Sequence, residues 1–105
     1  MRAGERTLFV PVAVVDRIEA AQNYVQLFAG QAKHLLHVSM NAIEAALDPD
    51  TFVRIHRSHI VNVKRIRQVW SHAQGRYLVE LASAGRLPSG RTYGDRIRTL
   101  LLNPF

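Results

Sequence analysis

The stretch FVRIHRSHIVN, residues 52–62, gives the most direct indication of the fold, because apolar and polar residues are mixed in it in an unusual way. Its valines and isoleucines predict a strand anchored in a core, continuous or broken at residues 57–58. Five hydrogen-bond donors stand among them, at Arg54, His56, Arg57, Ser58 and His59. A strand that only filled a core would not need these donors. The mixture predicts a structural strand that presents polar side chains to a polyanion, with nucleic acid as the first candidate.

Basic residues are concentrated in the second half of the chain. Residues 1–52 carry four basic and six acidic side chains, whereas residues 53–105 carry ten basic and two acidic ones, within a formal net charge of +6. Twelve of the fourteen basic residues are arginine, whose planar guanidinium matches phosphate oxygens and the acceptor edge of guanine. This distribution favours nucleic-acid binding over a basic surface that serves only solubility.

The length of 105 residues and the apolar content of 48% predict a single globular domain that covers residues 1–105. The chain has no cysteine, which excludes disulfides and thiolate metal sites and makes a reducing cytoplasm the expected location. No apolar run approaches the length of a membrane span, and the first residues lack the apolar core of a signal peptide. We therefore expect this segment to make no contact with a membrane.

Sequence motifs for catalysis and for cofactor binding are missing. The chain contains no P-loop and no G-x-G-x-x-G, and Ser89 in LPSGR lacks the first glycine of a nucleophile elbow. We expect no enzymatic activity and no cofactor. Two His-x-x-His pairs, His34 with His37 and His56 with His59, would bind a metal only if both members faced one ion. On a strand, residues three apart point to opposite faces, so we expect no metal site.

Alternating and valine-rich segments predict a mainly β, antiparallel fold. Besides residues 52–62, strands are predicted at residues 8–15, 24–29, 33–38, 64–70 and 76–81, with Pro11 marking the first as an edge strand or a bulge. A turn is predicted at residues 22–23, because Asn23 tolerates left-handed backbone conformations. A short helix is predicted at residues 39–47, capped by Ser39 or alternatively by Asn41. A helical face near the C-terminus comprises Tyr93, Ile97, Leu100 and Leu101.

Arg57 and Arg91 stand where the strand pattern is interrupted. Arg57 lies within HRSH, and Arg91 follows Pro88-Ser89-Gly90, in which proline and glycine fix and bend the backbone. Loops commonly carry binding residues, because a rigid scaffold can aim them outward. Acidic residues that would neutralise an arginine are scarce in this half of the chain. Contact with DNA is therefore favoured for both arginines over a local surface salt bridge.

Four blocks of the sequence together resemble one protein family. FVRIHRSHIVNVKRI, residues 52–66, is similar to the signature of the LytTR-type DNA-binding domain of bacterial transcription regulators. Residues 10–28 resemble the family's first two strands, residues 39–52 its short helix, and residues 85–101 its closing segment. The blocks occur in the family's order over roughly residues 8–102. The resemblance implies an elongated antiparallel β-sandwich of small sheets with one or two short α-helices.

The resemblance also implies which residues meet DNA. Loops of family members enter successive major grooves and bend the duplex, which implies sequence-specific binding of double-stranded DNA. The positions that correspond to base-reading residues are Asn23, Tyr24, Arg57 and Arg91. The positions that correspond to backbone-contacting or supporting residues are Arg54, His56, Ser58 and Ser89. Val25 departs from a phosphate-contacting position because it cannot donate a hydrogen bond, and His59 stands where Tyr or Phe is common.

The partners implied are double-stranded DNA with paired repeat sites, a second copy of the domain on the same DNA, and an upstream receiver or sensor domain. Whether the chain is a complete regulator or part of one is left open by the sequence. The competing hypothesis is an RNA-binding or protein-interaction β module that uses its basic face. Base stacking in such a module needs exposed aromatic side chains. We expect Phe9, Phe52 and Trp70 to lie among the apolar residues of strands, which leaves Tyr24 as the loop candidate.

Overall fold

The computed structural model describes residues 10–102, together with the backbone of residues 2–3 and 6–7. Strands dominate, in two antiparallel sheets and a short two-stranded pair, with two short helices. The molecule measures 45 × 23 × 22 Å along its principal axes. These features confirm the mainly β, elongated fold of small antiparallel sheets. No helix within residues 10–102 is long and apolar enough to cross a membrane.

The larger sheet has five strands: β3 (Arg17–Ala21), β4 (Tyr24–Ala29), β5 (Ala32–Leu36), β6 (Phe52–His56) and β7 (His59–Asn62). Their spatial order is β5-β4-β3-β7-β6. The smaller sheet contains β8 (Ile66–Ser71), β9 (Tyr77–Leu81) and β10 (Gly85–Pro88), in the order β10-β9-β8. The helices are α1 (Met40–Ala46) and α2 (Gly94–Leu102), and the two-stranded pair is β1 (Arg2–Ala3) with β2 (Arg6–Thr7).

A first core lies between one face of the larger sheet and α1. Met40 and Ile43 of α1 pack against buried residues of the sheet, among them Ile18, Leu27 and Ile60. Because a seven-residue helix has little stability on its own, this contact and its cap hold α1 in place. The Ser39 hydroxyl oxygen accepts a hydrogen bond from the Ala42 amide at 3.0 Å, which confirms Ser39 as the cap.

A second core lies on the other face of β6 and β7. It joins Ile55 and Val61 to Val79 and Leu81 of the smaller sheet and to Ile97 of α2. On β7, successive residues therefore enter different cores, Ile60 the first and Val61 the second. Burial of each such side chain stabilises the fold by about 1.5–3 kcal/mol. The apolar residues of the opening stretch thus fix β6 and β7 from both sides, which anchors the turn that joins them.

The prediction of a strand at residues 8–15 was wrong for residues 10–15, and the prediction for residue 23 was partly wrong. Val12–Val14 forms a 3-10 turn in which the Val14 amide donates to the Pro11 carbonyl oxygen at 3.1 Å. The fixed φ of Pro11 favours such a turn over the extended conformation that valines prefer. Predicted strand residues 8–9 lie outside the described residues. The predicted turn at residues 22–23 is confirmed, but the left-handed residue is Gln22, with φ 57°, and not Asn23.

Of the predictions of burial, the one for Trp70 was wrong and the one for Phe52 is confirmed. Phe52 is buried as expected. Trp70 is 40% exposed, because it lies on the outer face of the smaller sheet, with the Arg86 guanidinium 4.5 Å from its ring centroid. On α2, Ile97 is buried, but Leu101 is 48% exposed although the helical pattern grouped it with the apolar face. Phe9 lies outside the residues whose side chains are described.

Candidate nucleic-acid interface

Three loops lie side by side at one end of the larger sheet. They are turn 22–23 between β3 and β4, turn 57–58 between β6 and β7, and segment 89–92 after β10. The Ala20 amide donates to the Ser58 carbonyl oxygen at 3.0 Å, which ties turn 57–58 to β3. The Gly90 amide donates to the Ile55 carbonyl oxygen at 2.7 Å, which ties segment 89–92 to β6. We call residues 22–23, 57–58 and 89–92 the loop end.

The side chains of Arg54 and His56 fix the backbone of turn 57–58, while the Arg57 side chain points outward. The Ser58 amide donates to Nδ1 of His56 at 3.0 Å, and Nη2 of Arg54 donates to the Arg57 carbonyl oxygen at 2.6 Å. The strand register shifts between Arg54 and His56, so the turn follows an irregularity in the ladder. The Arg57 side chain itself is exposed. The backbone of the turn is therefore fixed by protein groups, which leaves the guanidinium for a ligand.

Arg54 is one of the groups that fix the turn, since its side chain is only 9% exposed. Besides the Arg57 carbonyl, its guanidinium contacts Oδ1 of Asn41 at 2.6 Å and Oε1 of Glu44 at 3.0 Å. Both partners lie on α1, so Arg54 connects that helix to turn 57–58. Asn41 therefore binds Arg54 from within the helix and does not cap it. A buried arginine with three partners supports the loop end from within.

Glu44 receives hydrogen bonds from two arginines of the basic half. Oε1 accepts from Arg54 at 3.0 Å and Oε2 accepts from Arg96 of α2 at 2.7 Å. Burial by itself raises the pKa of Glu44, but the hydrogen bonds and positive charges of Arg54 and Arg96 outweigh it and hold the pKa below its ordinary value. Glu44 is thus ionised at neutral pH and joins both helices to β6.

Segment 89–92 is fixed by Ser89 and Gly90 and presents Arg91. Ser89 is buried, its amide donates to the Tyr77 carbonyl oxygen at 2.9 Å, and its Oγ accepts from the Tyr77 amide at 2.9 Å. A Cβ at Gly90 would lie 2.9 Å from the Tyr93 ring, so only glycine fits there without a shift. Arg91 is exposed. Ser89 and Gly90 thus dock the segment, and Arg91 projects from it.

Turn 22–23 and the first residue of β4 supply two exposed polar side chains on the side of β3 that faces away from β7. Asn23 and Tyr24 are both exposed, and the Tyr24 ring lies 4.9 Å from the His37 ring, centroid to centroid, at an angle of 39°. His37 follows β5 directly, so it orients Tyr24 from the neighbouring strand. The two aromatic rings border a notch of about 400 Å³ whose walls include Asn23, Val38 and Ser39.

The hairpin between β8 and β9 adds exposed polar residues that the motif search missed. Residues 72–76 are exposed and include His72, Gln74 and Arg76. This hairpin meets the loop end because Tyr77, at its base, accepts from the Ser89 amide through its carbonyl oxygen and donates to Oγ of Ser89 through its amide. It also contacts α2, where Gly94 approaches the Gly75 carbonyl so closely that no side chain fits. The signal that could have identified it is a basic residue at a predicted turn.

The predicted site residues divide by exposure. The four predicted base-reading positions, Asn23, Tyr24, Arg57 and Arg91, are exposed at the loop end or beside it. The four predicted backbone or supporting positions, Arg54, His56, Ser58 and Ser89, are buried or half-buried. The loops and strand ends that carry these eight residues lie at one end of the larger sheet. Which of them meet DNA stays a prediction.

Ion pairs distinguish the arginines of the loop end from most others. Within residues 10–102, six arginines form ion pairs with carboxylates of the chain: Arg17, Arg54, Arg65, Arg86, Arg96 and Arg98. In the same region of the chain, Arg57, Arg67, Arg76 and Arg91 form none. Three of these four belong to the loop end or to the hairpin beside it, whereas Arg67 follows the first residue of β8 at the opposite end. Among the arginines of residues 10–102, those without an internal carboxylate partner thus lie mainly at the loop end and in the hairpin beside it.

The geometric reason given against a metal at His56 and His59 was wrong. The turn makes these residues cross-strand partners, and their ring centroids are 5.2 Å apart. Nδ1 of His59 also lies 3.7 Å from Oε1 of Glu19. Burial lowers the pKa of His59, the charge of Glu19 raises it, and the charges of His56 and Arg17 lower it further, with a lowered pKa as the result. Among residues 10–102, no group of three or more His, Cys, Asp or Glu side chains is arranged to hold a metal ion.

Comparisons with known proteins show which family the chain resembles. The family model described as "LytTr DNA-binding domain" matches residues 5–102. The CO-responsive transcriptional regulator RcoM of Rhodospirillum rubrum is 36% identical over 99 residues, which cover 93% of this chain and 42% of that protein. The transcriptional regulatory protein LytR of Staphylococcus aureus is 28% identical over 95 residues, which cover 80% of this chain and 39% of that protein.

A solved structure shares the fold. A LytTr DNA-binding domain from Bacillus cereus superposes with a TM-score of 0.82 at 27% identity, covering 95% of this chain and 92% of that one. The chain spans about two-fifths of the length of the curated relatives named above. The family model matches residues 5–102, and the sequence and the fold are both similar to those of family members. The chain therefore belongs to the LytTR family of DNA-binding domains.

Proposed function

We propose that this domain binds a specific double-stranded DNA sequence as the output domain of a bacterial transcription regulator. The observation that carries the proposal is the pair Arg57 and Arg91. Both are exposed at the loop end, both lack an internal carboxylate partner within residues 10–102, and both project from backbone that protein hydrogen bonds fix. Fixed loops with available guanidinium groups suit the reading of base edges, because the fork of arginine matches O6 and N7 of guanine.

Asn23 and Tyr24 would read bases from the other side of the loop end. An asparagine amide can both donate to and accept from an adenine edge, and a tyrosine ring can contact the methyl group of thymine or a sugar. The hairpin residues His72 and Arg76 would contact phosphates beside segment 89–92. Such contacts are independent of sequence and make affinity fall with salt concentration.

The spacing of the loops supports bending of the DNA. Turn 22–23 and segment 89–92 are separated by β3, β7 and β6, and neighbouring strands lie about 4.8 Å apart, so the two loops are about 15 Å apart at the level of the backbone. Successive major grooves on straight DNA are about 34 Å apart. Arginine side chains bridge only part of the difference. Insertion into successive major grooves would therefore favour a duplex bent toward the protein, with some dependence on bases that the protein does not touch.

The larger assembly belongs to the same proposal. The regulators that this chain resembles are more than twice its length, and we infer that an upstream receiver or sensor domain controls it. We also infer paired repeat sites on the DNA, with two copies of the domain bound, no enzymatic activity and a cytoplasmic location. Gel-shift titration of a single half-site against a paired site tests the assembly. A second shifted species that forms only on the paired site would support it.

The alternative is an RNA-binding module, which the exposed Trp70 favours. Arg86 lies over its ring on the outer face of the smaller sheet, and neither residue belongs to the loop end. An exposed aromatic beside an arginine can stack a base of single-stranded RNA. If RNA is the ligand, Trp70→Ala will weaken binding of single-stranded RNA, and the duplex selected from a random DNA pool will compete poorly.

Affinity measurements on three variants test the main proposal. Arg57→Ala and Arg91→Ala should each cost about 1–3 kcal/mol on the selected duplex and much less on a scrambled duplex. Arg67→Ala is the matched control, because Arg67 is also exposed and without an ion pair within residues 10–102, but it lies at the opposite end of β8. Equal losses on both duplexes would show that Arg57 and Arg91 bind phosphates and do not read bases.

A further inference from the structure

His56 occupies the position at which two of the loops meet. It is the last residue of β6, and the next residue is Arg57. Its Nδ1 accepts a hydrogen bond from the Ser58 amide at 3.0 Å. A ring nitrogen that accepts an amide hydrogen carries no proton of its own, so the neutral imidazole holds its proton on Nε2. The conformation of turn 57–58 therefore depends on the unprotonated Nδ1.

The same residue contacts the segment that carries Arg91. A Cβ at Gly90 would lie 3.4 Å from Cα and 3.4 Å from Cδ2 of His56, so the glycine packs directly against the imidazole and its backbone. The Gly90 amide is also bonded to Ile55, the residue before His56. A shift of the His56 ring would thus displace both turn 57–58, which carries Arg57, and segment 89–92, which carries Arg91.

We propose that His56 is a positioning residue for both proposed base readers, and that only its neutral, Nε2-protonated form holds them in register for sequence-specific binding. The inference rests on the proposed function. A proton on Nδ1 would oppose the Ser58 N–H and release turn 57–58. Specific recognition should then fall in acid, although the added positive charge would strengthen attraction to any DNA.

Charged and titratable groups surround this ring. The ring centroid of His59, on β7, lies 5.2 Å from that of His56. Nδ1 of His59 lies 3.7 Å from Oε1 of Glu19 on β3, and Glu19 also forms an ion pair with Arg17. Arg54 and Arg57 flank the turn, and segment 89–92 contributes Arg91 and leads to Tyr93. Positive groups predominate here, so another proton adds to a cationic cluster and does not complete an ion pair. The direction of the effect on specificity is therefore set by the lost hydrogen bond.

Two substitutions of His56 distinguish the need for a hydrogen-bond acceptor for the Ser58 amide from the need for a titratable imidazole ring. In His56→Asn, the side-chain oxygen can take the place of Nδ1 and accept from Ser58, but it does not titrate. In His56→Gln, the amide reaches the place of Nε2 and leaves Ser58 without its acceptor. The readout is the ratio of affinities for the selected duplex and a scrambled duplex, measured by fluorescence anisotropy from about pH 5.5 to pH 8.

For the unaltered chain, the ratio should fall about fivefold or more at the acid end, the effect of one lost hydrogen bond. His56→Asn should keep the ratio seen at pH 8 and show no fall, while His56→Gln should have a low ratio at every pH. A fall of the same size in His56→Asn, or equal ratios for the two variants, would overturn the proposal.

A measurement on the unsubstituted chain covers the case in which a variant does not fold. Nitrogen-15 NMR of the histidine rings reports which nitrogen carries the proton, and the proposal requires unprotonated Nδ1 and protonated Nε2 at His56 at neutral pH. A proton on Nδ1 would contradict it. Failure of either test would leave intact the effects of Arg57→Ala and Arg91→Ala at pH 8, so this inference and the proposed function fail separately.

Discussion

Arg54→Met is the substitution that most directly tests how the loop end is supported. Methionine keeps much of the apolar stem of arginine but removes the guanidinium and its contacts with Asn41, Glu44 and the Arg57 carbonyl. Loss of one partner from a buried ion pair costs about 3–5 kcal/mol. Here the Glu44 side chain is 34% exposed and keeps Arg96 as a partner, so its remaining charge is partly solvated. We expect the free energy of unfolding to fall by about 2–3 kcal/mol.

The chain offers a matched control on the same carboxylate. Arg96 contacts Oε2 of Glu44 at 2.7 Å, but its side chain is 48% exposed. Exposed ion pairs contribute about 0–1 kcal/mol, so Arg96→Met should have a small effect on stability. Urea unfolding, followed by circular dichroism, gives both values. An Arg54→Met variant no less stable than Arg96→Met would refute the view that Arg54 is a buried support.

Three further changes have defined outcomes. Because the pKa of Glu44 is lowered in the fold, its ionised form contributes stability above the ordinary pKa of 4.5 that is lost as the pH falls through the folded value. Glu44→Gln should therefore lose less stability than the unaltered chain on acidification, as urea midpoints at several pH values will show. Gly94→Ala should cost about 1–3 kcal/mol in thermal unfolding, because the methyl group meets the Gly75 carbonyl. Arg76→Ala should weaken binding equally on all duplexes and reduce the slope of log K against log salt by about 1. An Arg76→Ala effect confined to the selected duplex would show base reading instead.

Local sequence signals predicted the parts of the fold that depend on near neighbours. The gap between the predicted strands 24–29 and 33–38 corresponds to the turn between β4 and β5, where Gly30 has a φ of 61° that glycine reaches at little cost. The cap of α1 follows from Ser39, whose hydroxyl lies within reach of the Ala42 amide. For Ser39, the residue and its partner are only three positions apart. The break at residues 57–58 was also visible, because two polar donors interrupt an apolar run.

Features that depend on distant contacts were not predictable in the same way. The pairing of His56 with His59 requires the register shift after Arg54, which the bond from Arg54 to the Arg57 carbonyl accompanies. Trp70 has the alternation of a core residue, and only the position of the second core shows that its side of β8 faces outward. Likewise, the support of segment 89–92 comes from Tyr77, twelve residues from Ser89. The sequence indicated the site's arginines but not what holds them.

The most direct test of the central claim is selection of bound duplexes from a random pool by three proteins. These are the unaltered domain, Arg57→Ala and Arg91→Ala. If the two arginines read bases, the unaltered domain will enrich one motif containing guanines, and each variant will lose its preference at a separate part of that motif while keeping the remainder. Enrichment of the same motif by all three proteins, or of no motif by the unaltered domain, would contradict the claim.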